Sequence, residues 1–182
     1  MFPRIIGLLG RSRSGKDTIA NYLCLHHPEY EIVRLSSPLK KAVCCLYDYT
    51  MEQVEYDSKE HIDPRWGKTP RETIQSLTDY IMTYMGHDFF SRKLFGAYDR
   101  MEYRGSIIIP DIRYEHDIQE ILNRGGIVIK IERPNLDIRH SFEDHIDSLK
   151  GSITLTNDQS IHELHKKIKE YMYQFTPTLL IA

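Results

Sequence analysis

Apolar residues along the chain switch between two spacings, and the switches predict its elements. Ile5-Ile6-Gly7-Leu8-Leu9 is continuously apolar, as a strand buried on both faces requires. Ile19-Ala20-Asn21-Tyr22-Leu23-Cys24-Leu25 then repeats at helical spacing. Tyr30 to Leu35 alternates as a second strand, and a turn at Ser36-Ser37-Pro38 leads into Ala42-Val43-Cys44-Cys45-Leu46-Tyr47. From Thr50 to Lys68 the chain is polar, charged and poor in β-branched residues, which reads as an excursion from the sheet. Thr69-Pro70-Arg71-Glu72 opens a helix with an N-cap, a first-position proline and a capping box; the helix runs through Ile74, Leu77, Ile81 and Met82 to a stop at Gly86. Another follows from Asp88 to about Met101. Ser106 to Arg113 holds a β-branched run suited to a central strand with Asp111 at its carboxyl end, and a helix from Tyr114 to Asn123 stops at Arg124-Gly125-Gly126. Ile127 to Ile131 and Ile153 to Asn157 are further strands, and Ser160 caps a last amphipathic helix ending near Tyr173. Five strands separated by helices predict a single α/β domain over residues 1–182: three α/β/α layers around a parallel five-stranded sheet. Residues 36–105 hold its helical excursion, and residues 134–146 form an irregular charged loop.

Composition narrows the function classes. The 182 residues are 41% hydrophobic and 27% charged, the balance of a globular protein. A net charge of −2 argues against bulk nucleic-acid binding. No apolar stretch is long enough to span a bilayer, and Met1 to Gly10 lacks signal-peptide features, so a cytoplasmic protein is expected. Cys24, Cys44 and Cys45 lack metal or redox spacing and read as reduced, mostly buried thiols. His162 and His165 have no third ligand at suitable spacing and read as solvated. The apolar tail Leu179-Leu180-Ile181 is expected to pack on the body or on a second subunit of a homodimer.

The chemistry concentrates where the first strand meets the first helix. Gly10-Arg11-Ser12-Arg13-Ser14-Gly15-Lys16-Asp17-Thr18 has the G-x4-G-K spacing of a phosphate-binding loop in the strand–loop–helix context that gives the spacing meaning. Gly10 and Gly15 permit backbone angles that turn successive N–H groups around an anion. The helix N-terminus adds partial positive charge and Lys16 a full one, while Arg11 and Arg13 make the loop strongly basic. Asp17 stands where Ser or Thr usually supplies a hydroxyl to Mg2+. It either reaches the metal through water or serves as an acidic first-turn residue.

Further candidates fall at the carboxyl ends of the strands, where open parallel sheets bind ligands. Ser36 and Lys40 follow the second strand; Lys40 is either an anion-steering group or a solvated lysine. Arg71 lies in the first turn of its helix, where a cation makes electrostatic sense beside a docked anion, and Gln75 lies one turn further on the same face, able to read a base edge; otherwise the two are an exposed arginine and a solvated glutamine. Asp111 and Arg113 close the central strand: a carboxylate there suits a Mg2+ water, or else caps the next helix with Arg113 as its partner. Arg133 and Arg139 lie in or beside the charged loop, a candidate lid. So many cations exceed what one triphosphate needs. Transfer between two anions does need them, because the acceptor's own phosphate must approach the donor against repulsion. Thr156-Asn157-Asp158-Gln159 is not a guanine-reading N-K-x-D, which argues against a GTPase.

Arg13-Ser14-Gly15-Lys16-Asp17-Thr18, Leu35-Ser36-Ser37-Pro38-Leu39-Lys40, Thr69-Pro70-Arg71 with Gln75, Asp111-Ile112-Arg113, Gly125-Gly126 and Arg133-Pro134 resemble, in order, the motif series of the deoxynucleoside monophosphate kinases of tailed phages and large DNA viruses. The resemblance covers Ile5 to Leu164 and implies a P-loop kinase fold using ATP and Mg2+, with an acceptor such as dTMP or dGMP, in the host cytoplasm if the chain is viral. It assigns Gly10, Arg11, Arg13, Ser14, Gly15, Lys16, Asp17, Thr18 and Asn157 to the donor, and Ser36, Lys40, Arg71, Gln75 and Arg113 to the acceptor. Asp17 and Asp111 would serve the metal. Lys16, Asp111, Arg113, Arg133 and Arg139 would form the catalytic set. His140-Ser141-Phe142-Glu143 departs from the His-x-Ser-Glu expected of the lid. Phosphomevalonate kinase of the animal type shares the Ser-Gly-Lys-Asp loop, the Leu-Ser-x-Pro-Leu-Lys turn and the Asp-x-Arg strand end, but gives no reason for Thr69-Pro70-Arg71 with Gln75. A regulatory ATP-binding module would have no use for Arg71 and Arg113.

Overall fold

In the computed structural model, which describes residues 2–103, 105–134 and 141–175, one sheet is built from β1 (Ile5–Leu9), β2 (Tyr30–Ile32), β3 (Ser106–Ile112), β4 (Ile127–Glu132) and β5 (Ile153–Thr156). Every pairing is parallel and the order is β2-β3-β1-β4-β5. The helices are α1 (Lys16–His26), α2 (Ser37–Tyr47), α3 (Met51–Glu55), α4 (Pro70–Met85), α5 (Phe89–Asp99), α6 (Glu115–Asn123) and α7 (Ile161–Tyr173), with 3-10 helices at Asp57–Glu60 and Ser141–Ser148. The chain divides into two compact units, Met1–Arg34 with Ala97–Ala182, and Leu35–Gly96.

In the first unit the period-two alternation of the strands sorts side chains onto two faces. Ile6, Leu8, Ile108, Ile129, Ile131 and Leu155 pack with Ile19, Ala20 and Leu23 of α1 and Leu164, Ile168 and Met172 of α7. Gly7 faces α6 on the other side. A methyl group there would come within 2.6 Å of Ile121 Cδ1, so the glycine in mid-strand is what seats α6 closely on the sheet. Helices on both faces make the three α/β/α layers that the sequence predicts.

Two departures bear on the site. β2 stops at Ile32 instead of Leu35: Tyr30, Glu31 and Ile32 are in register with β3, and the last bond between them runs from the N–H of Val33 to the carbonyl of Ile108 at 2.9 Å. β1 and β3 run in register from Ile5–Ile107 to Gly7–Ile109, then shift so that Leu9 faces Ile112. β3 thus carries one extra residue around Pro110 and Asp111. Pro110 has no N–H to give the ladder, and such bulges re-aim side chains at the ends of strands. Asp111 is half-buried there.

The second unit packs α2, α3 and α4 around Val43, Tyr49 and Val54, with Ile74 and Leu77 against them. Both helix starts carry complete capping boxes, Thr50 with Gln53 and Thr69 with Glu72. The polar stretch 50–68 is therefore ordered as short helices closed by an Asp63–Lys68 bridge. Cys24 and Cys44 are half-buried, but Cys45 is exposed on α2, contrary to the expectation of mostly buried thiols. His162 is exposed as expected, while His165 is half-buried and stacks on Tyr22 at 4.3 Å between ring centroids. Among the described residues no three His, Cys, Asp or Glu side chains converge as a metal cluster, and no helix is long and apolar enough to cross a membrane.

Candidate active site

The loop between β1 and α1 owes its shape to two glycines. At Gly15 φ is +111°, in the left-handed region, and a Cβ there would meet Asn157 Nδ2 at 2.8 Å. At Gly10 a Cβ would lie 2.5 Å from the carbonyl oxygen of Ile131, so only glycine lets the loop pass this close to β4. Arg13 also has positive φ, +60°. Its carbonyl accepts from Arg133 Nη1 at 3.2 Å. Lys16 Nζ donates to the carbonyls of Gly10 and Arg11, at 2.7 and 2.6 Å. Asn157, just past β5, donates to the carbonyl of Ser14. Asn157 and Arg133 thus hold the loop's backbone, a supporting contact in addition to the donor role expected of Asn157 and the catalytic role expected of Arg133. Lys16 is the first residue of α1, with Asp17 and Thr18 following it in the first turn.

Arg11 is engaged by two carboxylates. Its Nη2 lies 3.0 Å from Asp144 Oδ1 and 2.8 Å from Asp147 Oδ2. The bond to Asp147, then that to Asp144, hold the guanidinium firmly cationic. Its Nη1 is buried without a hydrogen-bond partner, as is the hydroxyl of Ser14, which is 1% exposed. Both residues line a cavity of about 420 Å³ shared with Lys130, Glu132 and Arg133. Two unsatisfied polar groups beside an opening of this size and charge suit an anionic ligand. Lys130 belongs to no motif. Its signal in the sequence is a lone lysine in Ile127-Val128-Ile129-Lys130-Ile131, and the structure buries it with Nζ on the carbonyl of Asp147 at 2.8 Å and on Glu132 at 3.1 Å.

Asp17 pairs with Arg34 at 2.7 Å. Helix α6 is not capped by Asp111: Asp117 Oδ2 accepts from the backbone N–H groups of Arg113 and Tyr114, at 3.2 and 3.0 Å. Arg113 follows β3 directly. Asp17 and Asp111, the residues expected to serve a metal, are hard oxygen ligands too few for a protein cage. That fits Mg2+, which keeps waters and substrate phosphates in its shell.

In the second unit, Ser36 precedes α2 and Lys40 lies in its second turn, 3.6 Å from Glu55. Arg71 is in the first turn of α4, with Nε 2.6 Å from Glu60 Oε1. Gln75, one turn on, donates to Asp79 at 2.7 Å. Arg139, with residues 135–140 of the expected lid, and the Leu179-Leu180-Ile181 tail lie outside the described residues.

A phosphate loop on β1, the strand order β2-β3-β1-β4-β5 and basic residues at the strand ends define a P-loop kinase. Solved kinases share the fold. Dephospho-CoA kinase from Campylobacter jejuni superposes with a TM-score of 0.53 at 13% identity, over 95% of this chain and 99% of that one. Shikimate kinase from Aquifex aeolicus gives 0.52 at 17% identity, over 94% and 97%. The family model described as deoxynucleotide monophosphate kinase matches residues 62–168. A relative from Acanthamoeba polyphaga mimivirus carrying that family's name is 32% identical over 181 residues, covering 90% of this chain and 93% of its own. The deoxynucleotide monophosphate kinase of Enterobacteria phage T4 is 25% identical over 236 residues, covering 91% and 97%. The chain belongs to the deoxynucleotide monophosphate kinase family. It is an ATP-dependent nucleotide kinase, which decides against the phosphomevalonate kinase and regulatory-module readings.

Proposed function

We propose that the protein transfers the γ-phosphoryl group of ATP, presented with Mg2+, to a deoxynucleoside monophosphate such as dTMP or dGMP, giving the diphosphate and ADP. The observation that carries the acceptor half is Arg71. It stands in the first turn of α4 with a carboxylate, Glu60, already at 2.6 Å, so the position is one that attracts an anion. On this reading Arg71 holds the acceptor phosphate and Gln75 bonds the base edge, with Ser36 and Lys40 beside them as further acceptor groups.

The donor triphosphate lies on the loop formed by Gly10, Arg11, Arg13, Ser14 and Gly15. Lys16 and Thr18 hold its phosphates, while Asn157 and Arg133 keep the loop in shape. Asp17 and Asp111 would hold Mg2+, which when bound neutralises charge on the donor phosphates. Arg113, with Arg133 and Arg139 from the lid side, offsets the charge of the phosphoryl group in flight. No side chain need form a covalent bond. Alignment and charge neutralisation are the protein's share.

Residues 36–105 are read as the acceptor-binding excursion of one kinase domain, and residues 134–146 as its lid. A cytoplasmic setting, where nucleotide pools lie, and a homodimer complete the proposal. The test is ADP release by the purified protein with ATP–Mg2+ against dNMPs, NMPs and mevalonate 5-phosphate. Turnover with one or more dNMPs supports the reading. Turnover with mevalonate 5-phosphate alone, or with no acceptor, overturns it.

A further inference from the structure

Arg113 has its main chain held from both sides. Its N–H donates to Asp117 Oδ2, four residues on and 2% exposed, which is an ordinary way to start α6. Its carbonyl accepts from His145 Nε2 at 2.8 Å, and that partner comes from thirty-two residues further along the chain. A carbonyl only accepts, so Nε2 carries the hydrogen in this bond. The His145 ring is placed by stacking on Tyr114, at 5.2 Å and 14° between planes; Tyr114 also stacks with His116 at 5.3 Å and 8°.

The neighbours of His145 make this more than a turn packed on a loop. Asp144 and Asp147 both bond Arg11 of the phosphate loop, and Ile146 between them is 1% exposed. Four consecutive residues therefore reach the donor loop twice, the core once, and the backbone of Arg113 once. The segment ties two arginines from different strand ends to one rigid piece of chain. We infer that His145 is a positioning residue for phosphoryl transfer: its Nε2–H fixes the Arg113 peptide relative to the phosphate loop, and so sets where the Arg113 guanidinium starts. This rests on the reading of Arg113 as a phosphate-binding arginine given above.

Two substitutions separate the donor from the ring. His145→Gln places an amide N–H near the site of Nε2. His145→Phe keeps a ring for Tyr114 and removes the donor. With ATP–Mg2+ and the acceptor that the panel selects, His145→Phe should lower kcat by about tenfold, since small misplacements of a charge-stabilising group are costly. The KM for ATP and the thermal midpoint should stay close to those of the parent. His145→Gln should recover most of the loss, and His145→Phe in an Arg113→Ala background should add little. Parental kcat in His145→Phe, equal impairment of both variants, or a full further loss on top of Arg113→Ala would each overturn the inference. Arg113→Ala alone with parental kinetics would remove the reading of Arg113 itself, and this inference with it.

Discussion

The side-chain amide of Asn157 donates to the main-chain carbonyl of Ser14 across 2.8 Å, joining the end of β5 to the phosphate loop. The adjacent Gly15 leaves room for that amide and for nothing larger. The bond constrains the peptide that leads into Lys16, so its loss loosens the cradle and not the fold. A neutral hydrogen bond of this kind contributes about 1 kcal/mol. Asn157→Ala should therefore raise the KM for ATP about fivefold in steady-state assays, with the acceptor's KM little changed. Asn157→Asp should be worse, because a carboxylate oxygen would face the carbonyl it must bond. An unchanged KM for ATP in both variants would mean that the loop's own backbone suffices.

Lys16 Nζ is held by the carbonyls of Gly10 and Arg11, so its charge is fixed over the loop by the loop itself. A cation oriented in advance costs no reorganisation as charge shifts between phosphates. Lys16→Met should lower kcat/KM by roughly 10²- to 10³-fold, the usual loss for one such group. Circular dichroism should show the fold intact, since only loop carbonyls lose a partner.

Much of this site was legible in the sequence because backbone physics imposes it. The glycine spacing of the phosphate loop, the Thr69-Pro70-Arg71-Glu72 helix start and the β-branched run ending at Asp111 each have one low-energy structure. The groups that escaped notice are those set by tertiary contact. Glu60 meets Arg71 from the end of a short 3-10 helix, Arg34 meets Asp17, and Asp144 and Asp147 meet Arg11. No periodicity announces such pairs, because ion partners need only proximity and tolerate any sequence separation. Lys130 is the intermediate case: a charge in an apolar run signals a buried partner without saying which. The shortening of β2 was equally invisible, since an edge strand ends where its neighbour stops pairing.

Several carboxylates are held ionised by the fold. The hydrogen bond from Arg124 holds Asp99 below its ordinary value of 3.8, and Lys167 does the same for Asp158. The backbone N–H and then the hydroxyl of Thr69 hold Glu72 below 4.5. Each group has a lower pKa folded than unfolded, so its stabilisation is complete above the ordinary value. It is lost as pH falls through that value toward the folded one. The thermal midpoint should therefore be flat from neutral pH down to about 5 with respect to these groups and drop below about 4. Asp99→Asn should be slightly less stable than the parent at pH 7 and should converge with it in acid. A constant difference at all pH values would mean that the Asp99–Arg124 pair contributes through packing and not charge.

Arg71 and Glu60 offer the sharpest test of the acceptor assignment. Their bond, 2.6 Å from Nε to Oε1, is partly exposed, and such pairs contribute at most about 1 kcal/mol. A phosphate dianion offers the same guanidinium more charge and two oxygens, so it should displace the carboxylate. Glu60 would then be a placeholder that the acceptor must compete against. Glu60→Gln should lower the acceptor's KM by about two- to fivefold and leave that of ATP unchanged, in line with a pair of this strength. Arg71→Ala should raise the acceptor's KM by at least about tenfold, again with ATP little affected, because charge-assisted bonds to phosphate are worth about 1.5–3 kcal/mol. Arg71→Lys should recover only part of this, since an ammonium cannot offer two parallel N–H bonds. If Glu60→Gln instead raised the acceptor's KM, the carboxylate would be orienting Arg71 and not occupying its site. Equal effects of Arg71→Ala on both substrates would remove Arg71 from the acceptor pocket altogether.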